Sequence, residues 1–145
     1  MQRVSRARVT VDDKIVGEIN KGILVLLGVS DEDSEKEVIY LLEKILNLRI
    51  FEDAEAKMNL SLLDIKGELL VVSQFTLYGD ARKGRRPSFI KAAAPEKANK
   101  LYEFFVVEAR KQIDKVETGR FQAMMKIELV GDGPVTILLD SEKLF

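Results

Sequence analysis

A continuous apolar run at residues 23–29, ILVLLGV, limits the possible folds of this chain more than any other segment. It follows the turn residues Asn20, Lys21 and Gly22, and a short apolar run bounded by turn signals is typical of a strand covered on both faces. We therefore expect a central strand here.

The run is far shorter than the roughly 18 apolar residues of a membrane span, and residues 1–10 lack the apolar core of a signal peptide. A cytoplasmic location and no membrane partner are expected.

Two segments with helical periodicity should pack against the sheet. Ser34 followed by Glu37 forms a capping-box pattern, and apolar residues then recur at helical spacing, which predicts a helix over 35–48. Pro95 suits the first position of a second helix, whose apolar repeat continues to near Lys115.

The remaining apolar segments alternate with polar residues or are rich in β-formers, which predicts strands joined by turns. Residues 1–145 should form one α/β domain, with mixed and antiparallel sheets layered against the two long helices as a β/β/α sandwich. No glycine-rich phosphate fingerprint follows a strand, so a doubly wound nucleotide fold is not expected. The predicted strands are 3–11 paired with 15–19, 48–51, 62–65 paired with 68–73 across Lys66 and Gly67, and 121–129 joined by a turn at 131–134 to 135–139.

The sequence contains neither cysteine nor histidine. Their absence excludes disulfides, thiolate nucleophiles, Ser–His triads and the zinc sites that these residues build. Chemistry must come from hydroxyls, lysines, carboxylates, main-chain N–H groups or the substrate, and neither a cofactor nor a metal is expected. The net charge is −1, so binding to nucleic acid would need a local basic patch.

Ser73, Gln74, Phe75 and Thr76 lie at the end of the predicted strand 68–73. On spacing alone an ordinary strand end is favoured, because no general base stands nearby in the sequence. The functional interpretation is a cluster of hydroxyls, an amide and main-chain N–H groups around a reacting carbonyl.

Two further segments allow both a structural and a functional interpretation. Gly133 and Pro134 read first as part of a hairpin turn, although about 5–6% of X–Pro bonds in folded proteins are cis. A basic stretch around Gly84 fits a solvated loop and a phosphate-binding loop equally well, because arginines serve both. Its four cationic residues are Arg82, Lys83, Arg85 and Arg86.

Several longer sequence segments, taken in order, carry more information than any single motif: LRIFED, KMNLS, VVSQFTLYGD, RKGRRPSF and DGPVT. In this order and spacing they resemble the D-aminoacyl-tRNA deacylase family of the bacterial and eukaryotic type, from Gln2 to Asp140. The resemblance implies hydrolysis of the ester that joins a D-amino acid to the 3′-terminal ribose of tRNA. Aminoacyl-tRNA is then the expected partner.

The resemblance also implies roles for individual residues. Residues 73–76 would line the active site, and Gly133-Pro134 would be a cis unit that rejects L-amino acids by acting as a rigid wall. Each subunit's Gly133-Pro134 would reach into its partner's pocket, which implies a homodimer with two composite sites. Arg3 would hold that unit in place. Because glycine has no side chain, glycyl-tRNA should pass the same filter.

Two mechanisms fit this function. Main-chain N–H groups at Phe75 and Thr76 would stabilise the oxyanion while the ribose 2′-hydroxyl helps to activate water, a route that needs no histidine. Alternatively, the Thr76 hydroxyl would be a covalent nucleophile, which demands an adjacent general base.

Two other classes of function remain open at this point. A non-catalytic RNA-binding module would use only the basic stretch from Arg82 to Arg86. A metal-dependent hydrolase would use the carboxylates Asp80, Asp132 and Asp140, which must then lie together in the fold.

Four positions depart from the usual pattern of the family. Ala56 stands where the family usually has glycine, Gln122 and Met124 lie in a segment that usually contains alanine or glycine and aspartate, and Gly131 replaces a usual asparagine. These changes concern the lining of the pocket and the rigidity of turns, and both main motifs remain whole.

Overall fold

The computed structural model describes residues 1–144, and within them the chain forms eight strands, two α-helices and one short 3₁₀ helix. The strands are β1 (Gln2–Val11), β2 (Lys14–Ile19), β3 (Gly22–Leu27), β4 (Phe51–Glu52), β5 (Met58–Leu60), β6 (Glu68–Ser73), β7 (Val116–Thr118) and β8 (Lys126–Thr136), and the helices are α1 (Glu35–Asn47), the 3₁₀ helix (Phe75–Tyr78) and α2 (Pro95–Arg110).

The main sheet is mixed, with the strand order β2-β1-β3-β6-β7 and β8 paired with β1. Strand β3 lies between β1 and β6, pairing antiparallel with β1 and parallel with β6 in a register that places Leu24 beside Leu70. Strand β7 continues the parallel part beyond β6. The central strand predicted from the apolar run at 23–29 is therefore confirmed, although it ends at Leu27 and not at Val29.

Both faces of β3 and β6 are covered, which explains their uninterrupted apolar character. Ile23 and Leu69 face the core that α1 and α2 cover, whereas Leu24 and Leu70 belong to a second core. The second core also contains Val9, because β1 and β2 fold over that side of the sheet. Two β layers and one helical layer result, and the predicted α/β sandwich is confirmed.

The two helices begin where the sequence predicts and end slightly earlier. Ser34 caps α1 in a capping box with Glu37, whose carboxylate accepts from the Ser34 N–H at 2.9 Å. Helix α2 begins at Pro95 but ends at Arg110 and not near Lys115. Beyond it the N–H of Ile113 still donates to Ala109 and the Ile113 side chain is buried, so the apolar repeat continues past the regular helix.

The predicted hairpin of 62–65 with Glu68–Ser73 is wrong. Residues 62–66 form turns, in which the N–H and hydroxyl of Ser61 donate to the Asp64 carboxylate at 2.8 and 2.7 Å. Strand β6 pairs in parallel with β3, a partner far away in the sequence. The pattern of a local turn between two apolar segments therefore pointed to the wrong neighbour.

The predicted turn at 131–134 is also wrong, because β8 runs through it without reversing. Residues 121–125 are irregular, and the strand begins only at Lys126. The register between β1 and β8 shifts between the pairs Gln2–Thr136 and Val4–Gly131, so the turn-forming residues are accommodated as a bulge. The chain beyond Thr136 forms no further strand within the described residues.

Along residues 1–144, no helix is both long enough and apolar enough to cross a membrane.

Candidate active site

The end of β6 passes directly into the 3₁₀ helix at Phe75–Tyr78. The N–H of Gln74 donates to Leu27 at 2.8 Å, which closes the β3–β6 ladder, and the N–H of Leu77 donates back to Gln74 at 3.3 Å. Between these two bonds, the N–H groups of Phe75 and Thr76 donate to no acceptor in residues 1–144. This strand-to-helix junction therefore leaves two adjacent main-chain donors available for a ligand.

The Thr76 hydroxyl is exposed and accepts a hydrogen bond from the side-chain amide of Gln74 at 2.5 Å. Within the described chain no lysine or carboxylate hydrogen-bonds to this hydroxyl. An amide that donates to the oxygen cannot remove its proton, so the geometry lacks the general base that a nucleophilic Thr76 needs.

A cavity of about 790 Å³ opens beside these donors. Its aromatic wall includes Phe75, which is 56% exposed and meets Phe89 edge-on with ring centroids 5.1 Å apart. The size and largely apolar lining suit a small-molecule or nucleoside-sized group. The lining residues are Val72, Ser73, Gln74, Phe75, Phe89, Ala92, Ala93, Ala94, Pro95, Ala98, Phe121, Gln122, Ala123, Met124, Met125 and Ile127.

Of the predicted site residues 73–76, Ser73, Gln74 and Phe75 line this cavity and Thr76 does not, and sequence reasoning missed Phe89 and Phe121. Both phenylalanines come from segments far from β6 in the sequence, and only the fold brings them together. The sequence signal that pointed to Phe89 as a site residue was its position shortly after the basic stretch, in the segment RRPSF.

Gly133 and Pro134 lie in the bulge of β8, and the peptide bond between them is cis. Arg3, only 5% exposed, holds this region: its Nε donates to the Asp132 carbonyl at 2.9 Å and its Nη1 donates to the Ile50 carbonyl at 2.6 Å. The Asp132 carboxylate lies 3.6 Å from Nε. The structure thus brings Arg3 together with the Gly133–Pro134 segment.

The structure does not bring Gly133 and Pro134 to the cavity of their own chain. Ile127 lines that cavity, whereas Gly133 lies six residues further along β8. At about 3.3 Å per residue this separation is roughly 20 Å. The sequence-predicted site residues therefore form two separate groups within one chain.

The basic stretch forms a closed loop next to the cavity. Asp80 and Ser88 pair through reciprocal main-chain hydrogen bonds of 2.8 and 2.9 Å, and Phe89 of the cavity follows directly. Arg82 binds the Asp80 carboxylate through Nε and Nη2, and this contact holds the pKa of the Asp80 carboxyl well below its usual range. Arg82 is exposed, as are the other cationic side chains of the loop, Lys83, Arg85 and Arg86.

The three carboxylates of the metal-hydrolase alternative do not lie together. Asp80 binds Arg82, and Asp132 binds Arg3 at the other end of the molecule's main sheet. No group of three metal-ligating side chains is found within residues 1–144, so Asp80, Asp132 and Asp140 do not form the cluster that this alternative requires.

Two of the four unusual positions adopt backbone conformations that favour glycine. Ala56 and Gln122 have φ values of 59° and 60°, in the left-handed region. Met124 is 92% exposed at the mouth of the cavity. Gly131 has open space around its α-carbon, so nothing in its surroundings requires glycine.

Comparison with known proteins identifies the family to which this chain belongs. The family model for D-Tyr-tRNA(Tyr) deacylase matches residues 1–140. D-aminoacyl-tRNA deacylases from Thermosipho melanesiensis and Clostridioides difficile are 63% and 64% identical, each covering 100% of this chain and 97% of the relative.

Solved structures agree with this placement. One described as a c-Myc DNA unwinding element binding protein has a TM-score of 0.91 and 44% identity, and the match covers 96% of this chain and 95% of that one. Another, described as a "probable eukaryotic D-amino acid tRNA deacylase", shares the fold with a TM-score of 0.78 at 21% identity, covering 92% of each chain. The chain belongs to the D-Tyr-tRNA(Tyr) deacylase family. The resemblance is therefore confirmed, and the enzyme class is that of a hydrolase.

Proposed function

We propose that this chain hydrolyses the ester of D-aminoacyl-tRNA with main-chain N–H groups as its principal catalytic donors. The deacylase activity follows from family membership, and the proposal adds the residues and the mechanism. The observation that supports it best is the pair of adjacent N–H groups at Phe75 and Thr76 that have no acceptor within residues 1–144, beside a cavity of about 790 Å³ that Phe75 lines.

Hydrolysis of an ester develops negative charge on the carbonyl oxygen. Two neighbouring donors at a strand-to-helix junction can bind that oxyanion without reorganising, and each such donor contributes about 10²–10³ in rate. The N–H groups of Phe75 and Thr76 are held in place by their neighbours, since the Gln74 N–H donates to the Leu27 carbonyl and the Leu77 N–H donates to the Gln74 carbonyl.

The attacking water needs less help from the protein than in most esterases. An aminoacyl ester is activated by its own α-ammonium group, and the neighbouring ribose 2′-hydroxyl can assist in activating water. A chain without histidine therefore suffices. The covalent alternative is disfavoured because the partner of the Thr76 hydroxyl is the Gln74 amide, which is not a base.

Selection against L-amino acids is assigned to Gly133 and Pro134. At a fixed α-carbon, exchanging the L for the D form swaps the side chain with the hydrogen, so a rigid backbone wall can exclude one form. Such a wall needs no favourable contact with the D side chain, so many D-amino acids and glycine should be accepted. Arg3 is the positioning residue of this wall, through its bond to the Asp132 carbonyl.

This selection requires a second copy of the chain. Gly133 and Pro134 are not among the residues that line the cavity of their own chain, and Gly133 lies up to roughly 20 Å along β8 from Ile127. Strand β8 pairs with β1 on one side, and Leu129 and Val130 on β8 are partly exposed. A homodimer with two composite sites satisfies both observations, because the partner supplies the wall.

The RNA is expected to contact the loop of Lys83, Arg85 and Arg86, which adjoins the cavity through Phe89. A cytoplasmic location, where aminoacyl-tRNA is used, is part of this proposal.

A non-catalytic RNA-binding module would leave the free donors and the cavity without a role, and incubation with D-Tyr-tRNA distinguishes it, because a module binds without turnover.

A pair of variants at one position tests the donors. Thr76→Ala removes the hydroxyl and keeps the N–H, so single-turnover deacylation of D-Tyr-tRNA should stay near the wild-type rate. Thr76→Pro removes that N–H, and the rate should fall by about 10²–10³. Equal loss in both variants would show that the hydroxyl is required and would refute the main-chain mechanism.

A change in the substrate tests the role of the ribose 2′-hydroxyl, and this experiment needs no variant protein. D-Tyr-tRNA ending in 2′-deoxyadenosine should react far more slowly with the wild-type protein than the ribose form does. An unchanged rate would contradict a role for the 2′-hydroxyl.

Mixing two inactive variants tests the composite site. In heterodimers of Thr76→Pro and Gly133→Ala, one site combines the intact residue 76 of one subunit with the intact residue 133 of the other. Random exchange makes about half of the dimers mixed, each with one restored site, so about a quarter of wild-type activity should return. No recovery after verified subunit exchange would place both motifs in the site of a single chain.

A further inference from the structure

We propose that Asp80 is a positioning residue for tRNA binding: it holds the basic loop of residues 81–87 in the shape that presents its remaining cations to RNA phosphates. This inference rests on the proposed function, and it assigns Asp80 and Arg82 to the loop's architecture and not to the reaction.

The geometry at Asp80 uses both its main chain and its side chain. The main chain pairs with Ser88 in both directions, which closes the loop at its base. The carboxylate Oδ1 accepts from the Arg82 main-chain N–H at 3.0 Å and from Nε at 2.9 Å, and Oδ2 accepts from Nη2 at 2.7 Å. These three hydrogen bonds from Arg82 to the Asp80 carboxylate fix the first turn of the loop.

This arrangement changes which cations are available for RNA. Arg82 directs two of its guanidinium nitrogens to Asp80, and a guanidinium held in this bidentate way has less capacity for a phosphate. Lys83, Arg85 and Arg86 are exposed around Gly84, whose φ of 72° makes the sharp bend at the tip of the loop. Three cations, and not four, should then face the RNA.

The base of the loop is also tied to the cavity. Gly79 and Phe89 flank the Asp80–Ser88 pair, and a β-carbon at Gly79 would lie 3.0 Å from the Phe89 ring. The same ring meets Phe75 of the catalytic segment. A phosphate bound by the loop is therefore held at a defined distance from the site of ester hydrolysis.

The variant Asp80→Asn distinguishes a positioning role from simple charge neutralisation, because the two roles predict opposite changes in tRNA affinity. The variant removes a negative charge from an RNA-binding loop and frees Arg82. If Asp80 only neutralised a cation, tRNA would bind more tightly and the slope of log K against log salt would steepen by about 0.7. Positioning predicts weaker binding despite the added positive charge.

The measurement is the KM and the saturated rate for D-Tyr-tRNA, together with tRNA affinity across a salt series. The wild-type slope should be about −2, from three contacts at about −0.7 each. Asp80→Asn should raise KM about two- to fivefold, the range expected for an exposed bidentate pair, with a shallower slope and a saturated rate close to wild type. A lower KM with a steeper slope would overturn the proposal.

Arg82→Lys provides the matched second variant, since it keeps the charge but cannot form the bidentate contact. It should raise KM to a similar extent, and combining it with Asp80→Asn should add little. Additive effects would show that each residue contacts RNA separately and would overturn the proposal. Hydrolysis of D-tyrosyl-adenosine, which lacks the tRNA body, should change in neither variant, and a large loss there would place Asp80 in the catalytic site instead.

Glu55→Gln is the control for a changed net charge. Glu55 forms an exposed pair with Lys57 at 2.7 Å outside the basic loop, so the variant should leave KM and slope unchanged. Thermal unfolding of all variants should match the wild type. If the wild-type protein itself does not turn over D-Tyr-tRNA, the proposed function fails, whereas the effect of Asp80→Asn on tRNA affinity still decides the role of the loop.

Discussion

Replacing Arg3 by lysine should weaken both the fold and chiral selection, because one buried guanidinium serves two carbonyls. Its Nη1 and Nε donate to Ile50 at 2.6 Å and to Asp132 at 2.9 Å, and the side chain is 6% exposed. Lysine keeps the charge, but its single ammonium cannot reproduce the fork of a guanidinium, so one of these bonds is lost. A hydrogen bond to a charged group contributes about 1.5–3 kcal/mol.

The free energy of unfolding of Arg3→Lys should therefore fall by about 1.5–3 kcal/mol, which lowers Tm by about 3–12 °C for a chain of this size. Urea unfolding and a thermal scan measure both values. Deacylation of D-Tyr-tRNA should slow, and L-Tyr-tRNA should be rejected less completely, because Asp132 precedes the Gly133–Pro134 wall.

Arg8→Lys is the matched control on the same pair of strands. Arg8 binds Glu128 at 2.5 Å, but both side chains are exposed, so Arg8→Lys should unfold close to the wild type. If Arg3→Lys is equally mild, the buried carbonyl bonds do not stabilise the fold as argued. If it is destabilised yet rejects L-Tyr-tRNA as well as the wild type does, Arg3 does not position the wall.

Two further outcomes follow from the backbone and from the carboxylates. Gly133 has a φ of 125°, and a β-carbon there would lie 2.9 Å from Arg3 Nη2. Gly133→Ala should therefore lower the free energy of unfolding, measured with urea, by about 1–3 kcal/mol and slow the turnover of D-Tyr-tRNA. Wild-type stability would contradict this strain. Hydrogen bonds from Ser34 and Asn59 lower the pKa values of the Glu37 and Asp53 carboxyls in the folded protein. Their stabilisation is therefore fully present above the ordinary values of 4.5 and 3.8, and it is lost as pH falls below these values and through the lowered pKa of each carboxyl. Urea unfolding from pH 6 to 3 should show the decline, and Ser34→Ala should make it shallower, whereas an unchanged profile would contradict the role of the cap.

Elements governed by local patterns were predictable from the sequence. The capping box of Ser34 and Glu37 defines the start of α1, and the apolar run at 23–29 identifies β3 as central, because both depend on neighbouring residues and on burial. The parallel pairing of β3 with β6 was not predictable in this way. It depends on contacts between distant segments, and the apparent turn at Lys66 and Gly67 pointed to a local hairpin instead.

The same limit applies to the candidate site. The segment VVSQFTLYGD indicated the candidate site, but that the N–H groups of Phe75 and Thr76 have no acceptor within residues 1–144 is seen only in the structure. The bulge around Gly133 arises from the register of β8 on β1, which no local pattern encodes. The ion pair of Arg82 with Asp80, which sets Arg82 apart from the three other cations of the basic loop, is likewise seen only in the structure.

Paired single-turnover deacylation of D-Tyr-tRNA and L-Tyr-tRNA by the wild-type protein tests the proposed function most directly. With enzyme in excess and at equal concentration, D-Tyr-tRNA should be hydrolysed rapidly while L-Tyr-tRNA stays intact over the same period. Gly-tRNA, whose amino acid has no side chain for the wall to exclude, should also be hydrolysed. Equal rates on the D and L substrates, or no hydrolysis of D-Tyr-tRNA above the spontaneous rate, would contradict the account.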